Sequence, residues 1–183
     1  MSDPISALQG ARFQGFASIC EIGPVGMISL RAKGLKSLDK AIKAAVGTKV
    51  PAQRCIEVNG ERACGWMSPD EYLLILPYAD VAKTLVALAK PLAEQHYLAV
   101  DVSDARAVFR IEGAQAADVL RKLFPVDFES LAPNELRRSR SAQVAAALWK
   151  QEQGFTLVCF RSVAEYVMRL LVHSAQPGSE LSS

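Results

Sequence analysis

A pattern that runs twice along the chain constrains its fold more than any other feature. Trp66 precedes Tyr72 by six positions, and Trp149 precedes Phe155 by six. Each second aromatic opens an apolar run, Tyr72–Leu76 and Phe155–Phe160, and each run leads into a segment with helical spacing. Around these anchors both halves read strand, helix, three strands, helix. In the first half Ile28, Leu30 and Ala32 alternate with Ser29, Arg31 and Lys33, the period of a half-buried strand. Leu38, Ile42, Ala45 and Val46 then share a helical face between an N-cap at Ser37 and a stop at Gly47. Two extended runs, 54–58 and 61–66, flank Asn59-Gly60, a pair that tolerates the positive φ of a tight hairpin turn. Ser68-Pro69-Asp70 makes another turn, and Pro77 closes the Tyr72–Leu76 strand. Asp80 is placed to cap a helix striped by Val81, Leu85, Leu88 and Leu92, with Pro91 in its last turn. In the second half the strand Val108–Glu112 ends at Gly113, and Ala116, Val119, Leu120 and Leu123 form a helical face. Strand candidates Leu136–Arg140 and Val144–Trp149 follow, then the turn Gln153-Gly154 and the strand Phe155–Phe160. Ser162 and Glu165 read as a capping box for a helix carrying Tyr166, Val167, Leu170 and Leu171.

The expectation is an α+β fold built from a duplicated β-α-β-β-β-α unit, with pseudo-repeats at about 25–95 and 96–175. Neither half has core enough alone, so 21–175 is expected to form one domain. Residues 1–20 show no period and are expected to be an arm that orders only on docking; 176–183 read as a disordered tail.

Composition narrows the function classes. The 183 residues are 50% hydrophobic and 22% charged, an ordinary globular balance, and no stretch approaches the roughly 20 apolar residues of a membrane helix. A net charge of +2 is too small to point to nucleic acid or an anionic membrane. The first residues lack the basic start and apolar core of a secretory signal, so a cytoplasmic protein is expected. The cysteines Cys20, Cys55, Cys64 and Cys159 form no Cys-x-x-Cys pair, and only His96 and His173 could join them, which argues against zinc or haem on this chain. Cys55 and Cys64 flank the hairpin turn; a disulfide there and two reduced thiols both stay open, the thiols being the expectation in a cytoplasmic chain.

Few residues suggest chemistry. Asp101 and Ser103 read as a catalytic pair or, preferably, as a carboxylate and hydroxyl satisfying backbone N–H groups at a strand bend, because no base accompanies the serine. His96 and His173 are expected at helix ends, His173 favoured there by the helix dipole. Arg137, Arg138 and Arg140 are the densest basic cluster, read as a charged strand edge, a candidate protein interface or a site for phosphates or another polyanionic ligand. No glycine pattern marks a phosphate cradle or a nucleophile elbow, and Trp66 and Trp149 read as equivalent core anchors of the two repeats.

The segment Trp66-Met-Ser-Pro69-Asp70-Glu71-Tyr-Leu-Leu resembles the Trp-x-x-Pro-Asp-Glu-aromatic-Leu-Leu segment of sarcosine oxidase gamma subunits. Asp101-Val-Ser103, Arg106, Gly113, Ala117-Asp118-Val119-Leu120, Val126-Asp127-Phe128 and Arg161-Ser-Val-Ala-Glu-Tyr166 fit the same family, over roughly residues 20–175. The resemblance implies the aminomethyltransferase-type folate-binding fold, with Trp66, Pro69, Asp70, Glu71, Asp101, Ser103 and Gly113 as structural motif residues. It implies a non-catalytic subunit that supports a heterotetramer with alpha, beta and delta partners. That complex would demethylate sarcosine to glycine oxidatively, with hydrogen peroxide and formaldehyde or methylene-tetrahydrofolate as products. FAD, FMN, NAD, tetrahydrofolate and zinc would reside on the partners. Active aminomethyltransferases carry an acid on the strand comparable to Val144–Trp149, and that stretch here has none. The alternative is a stand-alone folate-binding module or folate-dependent one-carbon transferase, in which Asp101 or Glu112 would have to accept the proton.

Overall fold

Strand-period alternation and short turns dominate the chain, and in the computed structural model they give two antiparallel sheets with helices. The structure describes residues 4–181. In chain order the elements are β1 (Arg12–Gln14), β2 (Ser18–Ile22), β3 (Val25–Ala32), α1 (Leu38–Val46), β4 (Ile56–Asn59), β5 (Arg62–Ser68) and β6 (Glu71–Pro77). Then come α2 (Val81–Ala89), β7 (Tyr97–Asp101), β8 (Arg106–Glu112), α3 (Ala116–Arg121), β9 (Leu136–Ser141), β10 (Val144–Gln151), β11 (Gly154–Phe160) and α4 (Ala164–Ser174).

Two compact units result. One is contiguous, Val25–Ser103; the other joins the residues up to Pro24 to those from Asp104 onward. In place of one domain over 21–175 there are thus two nested units, while the repeated elements, β3 to α2 and β8 to α4, fall within the expected 25–95 and 96–175. In the contiguous unit the sheet order is β4-β5-β6-β3-β7. Ile28, Leu30, Leu74 and Leu76 point to the helix side and pack with Ile42, Val46, Val81 and Leu88 in its core. In the other unit the order is β1-β2-β8-β11-β10-β9, and Phe109, Ile111, Leu148 and Leu157 pack with Val119, Leu120, Val167 and Leu171.

The duplication is visible in the topology. The order β4-β5-β6-β3 matches β9-β10-β11-β8, each with its two helices at corresponding chain positions. The strand that leads into each repeat pairs with the first strand of the other: β2 lies against β8, and β7 against β3. The tryptophan spacing holds, but the registers differ by one. A bulge between Trp66 and Ser68 sets Trp66 opposite Tyr72, whereas Trp149 stands opposite Thr156. Trp66 thus packs on the helix-side core of its unit, while Trp149, next to the core residue Leu148, is buried on the other face of its sheet. They are not equivalent anchors.

Residues 1–20 are not an arm where the structure describes them. β2 lies between β1 and β8, with Ala17 and Ile19 in the core. The carboxylate of Glu21, 1% exposed, accepts hydrogen bonds from Ser6 Oγ (2.9 Å), Ala7 N (3.0 Å) and Gly10 N (2.9 Å). Arg161 donates to the carbonyls of Ile5 (2.9 Å) and Ser6 (3.2 Å), so the segment before β1 is tied down as well. The tail also departs from expectation. Lys122 Nζ donates to Ser174 O (2.8 Å) and Ser179 Oγ (3.0 Å), folding the chain back as far as Ser179. Ser182 and Ser183 lie outside the described residues.

The expected caps form differently. Ser37 and Asp80 precede their helices without side-chain cap bonds, and Asp80 pairs with Arg62 instead. The Ser162–Glu165 box is absent: a 3-10 turn, Arg161–Val163, leads into α4, and Glu165 pairs with Arg169 at 2.5 Å. Gly47 stops α1 as expected, in the left-handed conformation (φ 73°). Among the described residues no helix is long and apolar enough to cross a membrane.

Candidate interaction surface

In the contiguous unit the motif residues fasten strands together. Ser68 Oγ donates to Asp70 Oδ1 (2.9 Å) inside the β5–β6 turn that holds Pro69, and the Asp70 carbonyl accepts from Ala32 N (2.9 Å) at the end of β3. Glu71 stands directly across from Arg31 in the β3–β6 ladder and is 8% exposed. Its carboxylate takes Ser29 Oγ (3.4 Å) and Arg31 Nη2 (3.5 Å), partners that offset the cost of burying a charge. Asp101 Oδ1 accepts from Ser103 N (2.9 Å) and Ser103 Oγ (2.5 Å), and Ser103 Oγ in turn accepts from Met27 N (2.9 Å). The hydroxyl is committed to a carboxylate and 7% exposed, which suits a strand-bend clip and not a nucleophile. His96 and His173 are both exposed, His173 in the last turn of α4.

Gly113 lies in the other unit, at the end of β8. Its N–H donates to Gln153 O (3.0 Å) and its carbonyl accepts from Ala116 N (3.1 Å), starting α3. A φ of +121° explains the glycine. An open pocket of about 610 Å³ lies at this turn, lined by Glu112, Gly113, Arg121, Phe128, Lys150 and Gly154 among others. Phe128 meets Phe155 edge-to-face at 5.4 Å, giving it an apolar wall. Arg121 is engaged by Asp118 (2.7 Å) and by Glu129. Nearby, hydrogen bonds from the Ser130 hydroxyl and the Glu129 N–H, with the Arg121 charge behind them, hold the Asp127 carboxyl below the usual range.

The two buried thiols, Cys64 and Cys159, are not poised for chemistry. All four cysteines are free, so Cys55 and Cys64 do not pair, and Cys64 faces Glu57 across the β4–β5 hairpin. Burial, with Glu57 adding to it, pushes the Cys64 thiol up; burial pushes Cys159 up to about 12 despite the opposing charge of Arg106.

The arginine cluster occupies β9, an edge of the six-stranded sheet, and alternation divides it. Arg137 turns to the helix side and pairs with Glu135 at 2.8 Å. Arg138 and Arg140 point to the other face, exposed. Opposite Arg140 stands Ala145 on β10. Ala146 pairs with Cys159, so the next residues outward, Ala145 and Phe160, lie level and share that face. Phe160 pairs with Arg106 on β8. One row at the end of the sheet thus runs Arg106, Phe160, Ala145, Arg140, with Arg138 two residues before Arg140 on the same face. Phe160 is 47% exposed, and the Arg106 guanidinium lies 4.2 Å from its ring centre. Sequence reasoning found the β9 arginines but missed Phe160, reading it as the last buried residue of its strand. The usable signal was parity: Phe160 alternates with the core residues Phe155, Leu157 and Cys159, so it belongs to the opposite face.

Comparison with known proteins fits this architecture. The family model of the sarcosine oxidase gamma subunit matches residues 34–176. The sarcosine oxidase subunit gamma of Corynebacterium sp. (strain U-96) is 29% identical over 178 residues, covering 91% of this chain and 84% of its own. The structure of heterotetrameric sarcosine oxidase from Corynebacterium sp. U-96, in complex with pyrrole 2-carboxylate, superposes with a TM-score of 0.79 at 26% identity, covering 87% of this chain and 83% of that one. Aminomethyltransferase T of the glycine cleavage system from Bartonella henselae shares the fold, with a TM-score of 0.65 at 13% identity, over 90% of this chain and 47% of that one. With one family model spanning most of its length, the chain belongs to the sarcosine oxidase gamma subunit family.

Proposed function

We propose that this chain is the gamma subunit of a heterotetrameric sarcosine oxidase, a non-catalytic member that supports assembly with alpha, beta and delta partners in the cytoplasm. The observation that carries the reading is near-full-length likeness to one such subunit, over 91% of this chain and 84% of the relative. The site geometry supports it. Asp101 and Ser103, the pair that could be read as catalytic, are tied to each other at a strand bend. FAD, FMN, NAD, tetrahydrofolate and zinc belong to the partners in this reading, and the assembled complex oxidises sarcosine to glycine with hydrogen peroxide and formaldehyde or methylene-tetrahydrofolate as products. A tagged chain purified from its native cells should bring down large flavin-bearing subunits, seen by mass spectrometry and flavin absorbance, with sarcosine-dependent peroxide in the eluate. Recovery of the chain alone and colourless would overturn the reading.

One observation favours a second reading, a stand-alone folate-binding module or one-carbon transferase: Glu112 borders an open pocket large enough for a pterin-sized group. Calorimetry with tetrahydrofolate on the isolated chain decides it. Heat that saturates and is lost in Glu112→Gln would support this reading; a flat titration would remove it.

A further inference from the structure

We infer that β7 is the seam along which a second copy of this chain adds, antiparallel and around a two-fold axis at Ala99, so that the β4-β5-β6-β3-β7 sheets of two copies become one. The inference goes beyond the gamma-subunit reading and does not rest on it. It starts from the parity of hydrogen bonds. Val102 N donates to Met27 O (2.9 Å), one step past the Asp101–Ile28 pair of the β3–β7 ladder. Hydrogen-bonded pairs alternate along an antiparallel ladder, so Val100 and Leu98 also direct their backbone groups to β3. Ala32 N, opposite Tyr97, accordingly donates elsewhere, to Asp70 O (2.9 Å). The N–H and C=O groups of Tyr97, Ala99 and Asp101 therefore turn away from β3, to an edge where no strand meets them among the described residues.

Both layers are apolar at this edge. On one face of the sheet Leu98 is 54% and Val100 42% exposed, and Arg31 beside Leu98 is already paired with Glu71. On the other face α2 packs over β3 and β7, while α1 packs over β5 and β6. The flank of α2 that α1 leaves open carries Ala82, Val86 and Ala89, all exposed, Val86 by 74%. The other sheet edges are guarded by charge: Arg12 on β1, Glu57 on β4 and the arginines of β9. Tyr97 to Val100 carry none.

These features together select a second copy. A lone extended peptide would satisfy the backbone but leave the α2 flank in water; a folded strand with a helix beside it covers both, and the same edge of another copy supplies them in register. With Ala99 facing Ala99, the outward groups of Tyr97 meet those of Asp101. Leu98 then falls opposite Val100 in the closer, non-hydrogen-bonded pair, so each exposed aliphatic side chain meets another. No like charges face each other in this ladder, because Asp101 meets a tyrosine and its carboxylate is held by Ser103. The axis stands normal to the sheet, so both α2 helices lie on one side with their apolar flanks turned to one another.

The experiment is sedimentation equilibrium of the full chain from about 2 to 200 µM, where wild type is expected to pass from monomer to dimer. Three variants are compared with it. Ala99→Pro removes an outward N–H and leaves the bonds to β3 in place. Leu98→Lys sets an ammonium against Val100 of the other copy, and Val86→Lys brings like charges together across the axis. Each is expected to weaken dimerisation at least about tenfold with an unchanged circular dichroism spectrum. If Ala99→Pro fails to fold, Leu98→Lys and Val86→Lys, both at exposed positions, decide in its place. Wild type that stays monomeric at about 200 µM would overturn the inference and leave the gamma-subunit reading standing. Dimers that survive in the folded variants within about twofold would place the contact elsewhere and overturn it as well. Monomeric wild type whose capture of flavin-bearing subunits weakens in Leu98→Lys would assign the seam to a partner's strand, again overturning it. Dimeric wild type that captures no such subunits would overturn the gamma-subunit reading alone.

Discussion

Glu71 is a carboxylate buried at the junction of a turn and a ladder, and its removal leaves Ser29 and Arg31 with a cavity between them. Arg31 is half in solvent, so the ion pair itself contributes little; the loss is mainly of buried hydrogen bonding. Glu71→Ala should lower unfolding free energy by about 1–3 kcal/mol in a urea titration, and Glu71→Gln by less, since the amide keeps an acceptor for Ser29. A second expectation concerns the thiols. Brief alkylation of the native chain should label Cys20 and Cys55, both partly accessible, whereas Cys64 and Cys159 should react only after unfolding. Peptide mass spectrometry reads both states, and native labelling of Cys64 would contradict the burial described for β5.

Turns are the elements most tightly specified by single residues. Gly154 sits opposite Glu112 with φ +152°, and a Cβ there would lie 2.0 Å from the Ile111 carbonyl oxygen. Gly154→Ala should therefore destabilise by about 2 kcal/mol or more, seen as a lower melting temperature, while alanine at Gly34, which has open space around it, should cost less. Such turns were legible through their glycines, whose positive φ is set by backbone geometry (Gly60, 59°; Gly154, 152°), although the loops are Gly60-Glu61 and Glu152-Gln153, each one residue from the expected Asn59-Gly60 and Gln153-Gly154. Caps were less legible. Asp80 has the chemistry of a cap, but Arg62 claims its carboxylate, a choice made by tertiary contact. β2 was missed for a similar reason. Glu21 shares the inward face with Ile19, so a buried acid breaks the alternation that announces a strand, and the three donors that permit its burial come from Ser6, Ala7 and Gly10.

Across the whole molecule, the duplication could be read from spacing, but the exchange of lead strands could not. Pairing between β2 and β8 joins residues such as Ile22 and Val108, and contacts that distant leave no local trace in the chain. The candidate surface shows the same limit: the β9 arginines are contiguous in sequence, whereas Phe160 and Arg106 join two of them only through the sheet. A variant lacking residues 1–22 tests the molecular scale. It strips β1 and β2 from the six-stranded sheet, opens the edge of β8 and removes Ala17 and Ile19 from the core. It should aggregate or melt well below the full chain; a truncated chain of unchanged stability would restore the arm that the sequence suggested.

The exchange of lead strands also sets an order of events during synthesis. Emerging from the ribosome, β2 can pair only with the short β1 until β8 follows it, and every residue of the contiguous unit must be translated in between. The unit from Val25 to Ser103 has all its strands in one stretch and can close as soon as β7 is out. The inner edge of the first hairpin made is thus among the last to be paired, and β2 waits for the carboxyl-terminal half to reach it.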